Sequence, residues 1–250
     1  MSKKLDEEVF ICIDCETTGL DAEQDRIIEV AVTKFTLKGV IEEFESLIDP
    51  ECEIPQSSIE IHNITADMVK GKPLMKDVLP QIIKLVSNHV IVGHGVKFDM
   101  DVIQNAARRA NIPCKIAQNQ YIDTLRLARH YGESPVNSLE RLRCHFNIEA
   151  EGAHRAMNDV VVNMGVFKFL AQRYHSLKEI FDVLAKPALI KIMPLGKYKG
   201  RLMKEIPLDY LIRCAKRDFD IDLLYSLRHE IKKRKKGNLF SQAANPFANL

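Results

Sequence analysis

The chain has 250 residues, 46% hydrophobic and 28% charged, with a net charge of +2, which is ordinary globular composition. No apolar run approaches the ~20 residues that a bilayer span needs. The charged start Met1–Glu8 leads only into the short run Val9–Ile13, too short for a secretory segment. These features exclude a membrane-spanning protein and predict a cytoplasmic one, long enough for one full domain and a small extra module.

Charge is unevenly spread. Residues 186–250 carry 15 Lys and Arg against 6 Asp and Glu, so the remaining body is acidic. That pattern suits a body that concentrates metal-binding carboxylates and a C-terminal part that meets phosphates. The six cysteines are irregularly spaced, which predicts free thiols. Cys12 and Cys15 spell C-x-x-C, but they fall on a predicted strand, where residues three apart face opposite sides. They read as two small residues of a central strand.

In chain order, Val9–Glu16 reads as a strand that ends in Thr17-Thr18-Gly19. Arg26–Leu37 and Val40–Asp49 follow as strands rich in β-branched and aromatic residues, joined by a hairpin turn at Lys38-Gly39. Pro55–Val69 predicts two short helical turns around His62-Asn63-Ile64-Thr65. Leu74–Ser87 has helical apolar spacing. His89–Gly93 is a short buried strand, Phe98–Ala110 a helix and Tyr121–Asp123 a brief strand. Helices follow over Thr124–His130, Ser138–Phe146 and Ala156–Gln172. Three hairpin-linked strands followed by alternating helices and strands predict an α/β domain, a mixed sheet flanked by helices. A boundary near Leu184–Pro187 leads to the run Ile190–Leu195, a turn over Gly196–Gly200, and helices over Pro207–Arg217 and Asp222–Lys236. The predicted organisation is a domain over 1–185, a small basic α+β module over 186–236 and a flexible tail over 237–250.

Asp14 and Glu16 lie two apart at the end of a predicted strand, so both side chains face one way. Two carboxylates on one face repel unless a cation sits between them, and hard oxygen ligands suit Mg²⁺ or Mn²⁺. Alone, Asp-x-Glu is equally a polar strand end. Thr17-Thr18-Gly19 could approach a ligand closely through its glycine. Asp99 falls in the first turn of a helix, where a carboxylate also serves as an ordinary cap. His154 and Asp159 are five apart. On one helix they would diverge by ~140°, so both reach one site only if His154 lies on the preceding loop, where it could deprotonate water.

Taken together, Asp14-x-Glu16-Thr17-Thr18-Gly19, His94–Asp99, and His154 with Asp159 resemble the DEDD exonuclease superfamily in its histidine (DEDDh) branch, which includes the proofreading epsilon subunit of bacterial DNA polymerase III. The likeness extends to Asp25-Arg26-Ile27-Ile28-Glu29, His62-Asn63-Ile64-Thr65, Asp123–Arg129 and Asn137-Ser138-Leu139, and covers roughly Val9–Leu170. It implies a ribonuclease-H-like fold and 3′→5′ exonuclease activity. It also implies two divalent metal ions, Mg²⁺ or Mn²⁺, held by Asp14, Glu16, Asp99 and Asp159, with His154 as general base. Thr17, Thr18 and His62 would seat the terminal nucleotide. Gly95 departs from the asparagine that many members carry after the histidine, and Ser57 stands where the polymerase epsilon subunit tends to carry glutamate.

The segment Met193–Arg201 with Ile206–Leu211 resembles the tail domain of exodeoxyribonuclease X. It presents Lys197, Lys199 and Arg201 beside Tyr198, a phosphate-and-stacking surface, though a basic folding unit for dimer contacts fits the same residues. Asn238-Leu239-Phe240 is weakly similar to a sliding-clamp docking peptide. The resemblance implies DNA 3′ ends as the nucleic-acid partner, with RNA as the alternative polymer, and leaves open a DNA polymerase or sliding clamp as a protein partner and a homodimer. An inactive nucleic-acid-binding protein would have lost a carboxylate or the histidine, and none is lost.

Overall fold

Strand β1 (Phe10–Thr17) is the centre of the molecule. Phe10, Ile11, Cys12 and Ile13 are all fully buried. A strand that is apolar on both sides needs cover on both faces of its sheet, and it has it. β2 (Ile27–Thr36) pairs antiparallel with β1, and β3 (Gly39–Leu47) pairs antiparallel with β2. On the other side β4 (Val90–Gly93) runs parallel to β1 and β5 (Tyr121–Asp123) parallel to β4. The order is β3-β2-β1-β4-β5, the mixed sheet that the sequence predicts. The structure is a computed structural model that describes residues 4–131, 136–149 and 155–243, with side chains up to residue 235. His154 lies outside the described residues.

Side chains alternate along a strand, and the alternation of β1 sorts the two cores. Ile11, Ile13 and Cys15 pack under α3 (Met75–Val86) and α4 (Lys97–Arg109). Phe10 and Cys12 pack under α7 (Ala156–Ala171), beside α5 (Thr124–Tyr131) and α6 (Leu139–His145). The second core is built on Phe10, Phe35 and Phe167, with Phe10 and Phe167 edge to face at 4.9 Å. Removing one such ring costs ~3–5 kcal/mol. Cys12 and Cys15 fall in different cores and all six cysteines are free thiols, so the C-x-x-C has the structural reading that its strand position predicts.

Two short helices, α1 (Gln56–His62) and α2 (Ala66–Val69), flank Asn63, which ends α1 in the left-handed region at φ 58°. One further helix, α8 (Leu177–Leu184), is absent from the sequence-based reading. Its signal is Ser176-x-x-Glu179, a capping-box spacing, and the Ser176 hydroxyl accepts the Glu179 N–H at 3.4 Å.

Beyond α8 the chain builds a separate small core from Met193, Met203, Ile206, Leu211, Cys214, Leu223 and Leu227. Two 3-10 turns, α9 (Leu208–Cys214) and α10 (Ile221–Ala243) enclose it. Its β component among the described residues is the isolated bridge between Ile192 and Leu202. α10 continues past Gly237, where the sequence places the start of a tail; Gly is unfavourable inside a helix by only ~1 kcal/mol. Among the described residues no helix is long and apolar enough to cross a membrane.

Candidate active site

The face of β1 that carries Phe10 and Cys12 changes character at its C-terminal end, where the next two inward positions are Asp14 and Glu16. α7 crosses this face and brings Asp159, in its first turn, against them. Carboxylate oxygens of Asp14, Glu16 and Asp159 lie within 4.8 Å of one another. The fourth predicted acid, Asp99, comes from the first turn of α4 and is buried. Its Oδ1 accepts the backbone N–H of Cys15 at 2.9 Å, which fixes it at the strand end between Asp14 and Glu16.

The electrostatics follow from crowding like charges in a half-buried place. Burial, then the neighbouring Asp99, Asp159 and Glu16, push Asp14 well above the ordinary carboxylate range. Burial, then Asp159 and Glu29, push Glu16 up to about 8, opposed by Arg155. Burial raises Asp99 to about 7, against the stabilising N–H of Cys15. Carboxylates that resist ionisation together call for positive charge among them. The donor set is all oxygen, which fits Mg²⁺ or Mn²⁺.

α7 is held in place by residues that the sequence-based reading does not single out. Glu29, fully buried on β2, receives a forked pair of bonds from Arg155 and also the backbone N–H of Ala156 at 2.9 Å. Two turns further on, the buried Asn163 donates to the Cys12 sulfur at 3.2 Å and accepts the Thr124 hydroxyl at 2.6 Å. The available signal is period two along β2: Glu29 shares a face with Ala31 and Phe35, both in the α7 core, and a carboxylate there requires a partner.

The loop after β1 is self-contained. The Thr17 hydroxyl donates to the Gly19 carbonyl at 2.6 Å, and the Thr18 hydroxyl donates to Asp25 at 2.8 Å. A Cβ on Gly19 would sit 2.5 Å from Asp25, so this glycine serves the packing of the loop on Asp25. Ser58 on α1 donates to the Thr18 carbonyl at 2.7 Å, tying α1 to the loop. His62 is buried at the end of α1, and its Nδ1 accepts the Ile64 N–H at 3.0 Å. Gly95 has φ +77° and donates its N–H to Asp123 at 2.9 Å. The left-handed region is open to glycine and, next best, to asparagine, so one backbone shape accommodates both Gly95 and the asparagine of the family pattern. His94 is half-buried against the Thr124 hydroxyl, and desolvation lowers its pKa to about 4, so the ring is neutral near pH 7.

Lys197, Tyr198, Lys199 and Arg201 belong to the C-terminal module, outside the acidic cluster. The three cations are exposed. Tyr198 packs edge-on against Tyr210 at 4.7 Å, so part of its ring is committed to the module.

A mixed five-stranded sheet with helices on both faces and an acidic cluster at the end of its central strand defines a ribonuclease-H-like nuclease domain. The chain belongs to the RNase T family of exonucleases, whose model, described as Exonuclease, matches residues 11–167. Among curated relatives, the PolC-type DNA polymerase III of Clostridium perfringens is 30% identical over 223 residues, 88% of this chain but 15% of that one. The DNA polymerase III subunit epsilon of Aquifex aeolicus is 29% identical over 190 residues, 72% of this chain and 93% of that one. The chain thus spans about 15% of the length of the first of these relatives. Among solved structures, exonuclease X bound to 5′-overhanging duplex DNA has TM-score 0.57 and 24% identity, over 70% of this chain and 99% of that one. E. coli exonuclease I with a dT13 oligonucleotide has TM-score 0.61 and 22% identity, over 74% and 47%. At these identities the structural likeness is one of fold.

Proposed function

We propose that the chain is a 3′→5′ exonuclease that releases nucleoside monophosphates from DNA 3′ ends, in repair or in replication proofreading. The observation that carries this reading is the convergence of Asp14, Glu16 and Asp159, with Asp99 beside them, inside the part of the chain that matches the exonuclease family. The names of the relatives, DNA polymerase III in both cases, favour DNA and a polymerase partner. An intracellular, cytoplasmic site of action follows from the same reading.

Asp14, Glu16, Asp99 and Asp159 would hold two divalent cations. Such cations, when bound, lower the pKa of a water and neutralise charge at a phosphodiester. The chain's own groups do the rest. The four carboxylates, ionised once charge-compensated, fix where the terminal phosphate can sit. His154, which directly precedes Arg155, accepts the proton of the attacking water as general base. The turn built by Thr17 and Thr18, backed by α1 with His62, forms a wall for the terminal sugar. The exposed Lys197, Lys199 and Arg201 offer charge to the backbone of the strand.

The test is a time course on 5′-labelled single-stranded DNA and RNA oligomers of matched sequence, with Mg²⁺, Mn²⁺ or EDTA. The expected result is a metal-dependent ladder that shortens from the 3′ end, faster on DNA, and absent in Asp14→Ala. A faster RNA ladder would reassign the substrate, and no ladder from the folded wild type would refute the reading.

A further inference from the structure

Helix α7 carries Asp159, yet its own N-terminus is poorly provided for. The N-cap residue is Arg155, extended at φ −135° and ψ 125°, and no side chain of its own segment caps the helix. Helix starts leave backbone N–H groups without intrahelical partners, which Ser, Thr, Asp or Asn at the N-cap ordinarily satisfy. Here the acceptor comes from a distant strand. Glu29 Oε2 accepts the Ala156 N–H at 2.9 Å, while both carboxylate oxygens accept Arg155 Nε, at 3.0 and 3.1 Å, and Oε1 accepts the guanidinium NH2 at 2.6 Å. The Glu29 side chain is 1% exposed. Arg155 and Ala156 are thus gripped by one carboxylate across 126 residues of sequence.

What this grip controls lies one turn along. The Asp159 N–H donates to the Arg155 carbonyl at 3.0 Å, so the turn that presents Asp159 begins at the clamped residue. On the sheet, Glu29 is the direct cross-strand partner of Glu16. Like charges directly opposite one another are unfavourable. Arg155 compensates Glu29, so that a fifth carboxylate beside the cluster does not compete for its cations. The N-terminal side of the clamp is also the peptide link to residue 154.

We propose that Glu29 and Arg155 are positioning residues: a strand-borne carboxylate caps α7 and, with Arg155, sets Asp159 against Asp14 and Glu16 at the spacing that binds metal. This rests on the metal reading of the cluster. It goes beyond it by assigning to a pair outside the four carboxylates the control of their geometry. Partners that orient first ligands in this way typically change metal affinity or activity by ~10–100-fold when removed.

The experiment uses the full chain and compares wild type, Glu29→Gln, Arg155→Lys and the double variant Glu29→Leu/Arg155→Met. Each is measured for Mn²⁺ affinity by calorimetry, for melting temperature, and for kcat and KM on a labelled DNA oligomer. Glu29→Gln is expected to weaken Mn²⁺ binding about tenfold or more and to lower kcat by ~10–100-fold with KM little changed. Arg155→Lys keeps the charge without the fork and is expected to fall between. Should a single variant fail to fold, the double variant decides, because replacing both partners of a buried ion pair with apolar groups is often neutral for stability, which leaves the lost cap on the Ala156 N–H, ~0.5–2 kcal/mol, as its main cost. A folded double variant with the same losses supports the clamp. A folded variant that matches wild type in Mn²⁺ affinity and kcat overturns it. Wild type that binds no Mn²⁺ refutes the metal reading, and the clamp's role falls with it.

Discussion

The raised carboxylates make the metal-free protein sensitive to alkali. Glu16 has a folded pKa of about 8 against an ordinary 4.5, and Asp99 about 7 against 3.8. A carboxyl group raised in the folded state holds its proton longer there than in the unfolded chain. Stability is therefore lost as pH rises from the ordinary value through the folded one, at ~1.4 kcal/mol per pH unit for each group. From pH 6 to pH 8, Glu16 loses ~2 kcal/mol and Asp99 ~1 kcal/mol by this rule. His94 acts in the opposite sense: its folded pKa is below its ordinary one, so it returns a little under ~1 kcal/mol over the same interval. From these three groups the net loss is about 2 kcal/mol, which for a chain of this size lowers the melting temperature by ~4–8 °C; Asp14, raised as well, acts in the same direction as Glu16. Calorimetric scans in EDTA at pH 6 and pH 8 measure it. Mg²⁺ should restore stability, and restore more at pH 8 than at pH 6, because protons compete with the ion for the same oxygens. Glu16→Gln should flatten the dependence in EDTA. A melting temperature in EDTA that is flat or rising between the two pH values would refute the crowded-carboxylate account, as would a Mg²⁺ gain equal at both.

Asp14→Ala should abolish turnover and, in EDTA at pH 8, melt no lower than wild type, because the side chain it removes is a source of repulsion among crowded carboxylates; a lower melting temperature would show Asp14 to be structural. Asp222→Ala should lower stability by ~3–5 kcal/mol, as removing one partner of a buried ion pair does, since that carboxylate is fully buried between Arg126 and Arg129; denaturant melts read this, and a loss below ~1 kcal/mol would deny the bridge its role. Gly95→Val should lower activity and stability together, whereas Gly95→Asn should be tolerated, because asparagine reaches positive φ and a β-branched residue does not; equal effects of the two would refute the backbone explanation.

Much of the body was legible because its signals are local. β5 has its predicted bounds, and the other predicted strands and the body's predicted helices lie within two residues of theirs. The Asp14-x-Glu16 pair was legible as a shared face because strand alternation is fixed by the backbone alone. Convergence with Asp159 was not, since nothing near either segment says that α7 crosses the end of β1; only the order and spacing of all the motifs, read as a family likeness, carried that. Thr17, Thr18 and Gly19 suggest a ligand-binding loop in sequence. In the fold their hydroxyls and the space over the glycine are taken up by Asp25 and the loop itself. Short polar residues and glycine have several uses, and sequence does not rank them.

The same reasoning explains why the holding residues stay hidden. Glu29, Asn163 and Asp222 are each buried polar groups whose partners lie 126, 151 and 96 residues away. Apart from Glu29's place in the family-like segment Asp25–Glu29, which assigns it no role, their signature in sequence is an anomaly, a charged or amide side chain on a face that should be apolar. Burial without a partner would be costly, so each anomaly predicts a partner without naming it. Asp222 shows what such a pairing achieves. It accepts from Arg126 and Arg129 on α5 and from the Ala188 N–H in the linker, while Arg126 and His130 both meet the Lys186 carbonyl. One helix of the nuclease body thereby grips both the entry to the C-terminal module and the start of its longest helix. A module tethered only by its linker would sample many orientations. Attachment at two points through a buried carboxylate restricts that freedom for the module that carries Lys197, Lys199 and Arg201. On the proposed reading, a DNA strand would meet charge already held in place, with less ordering to do on binding.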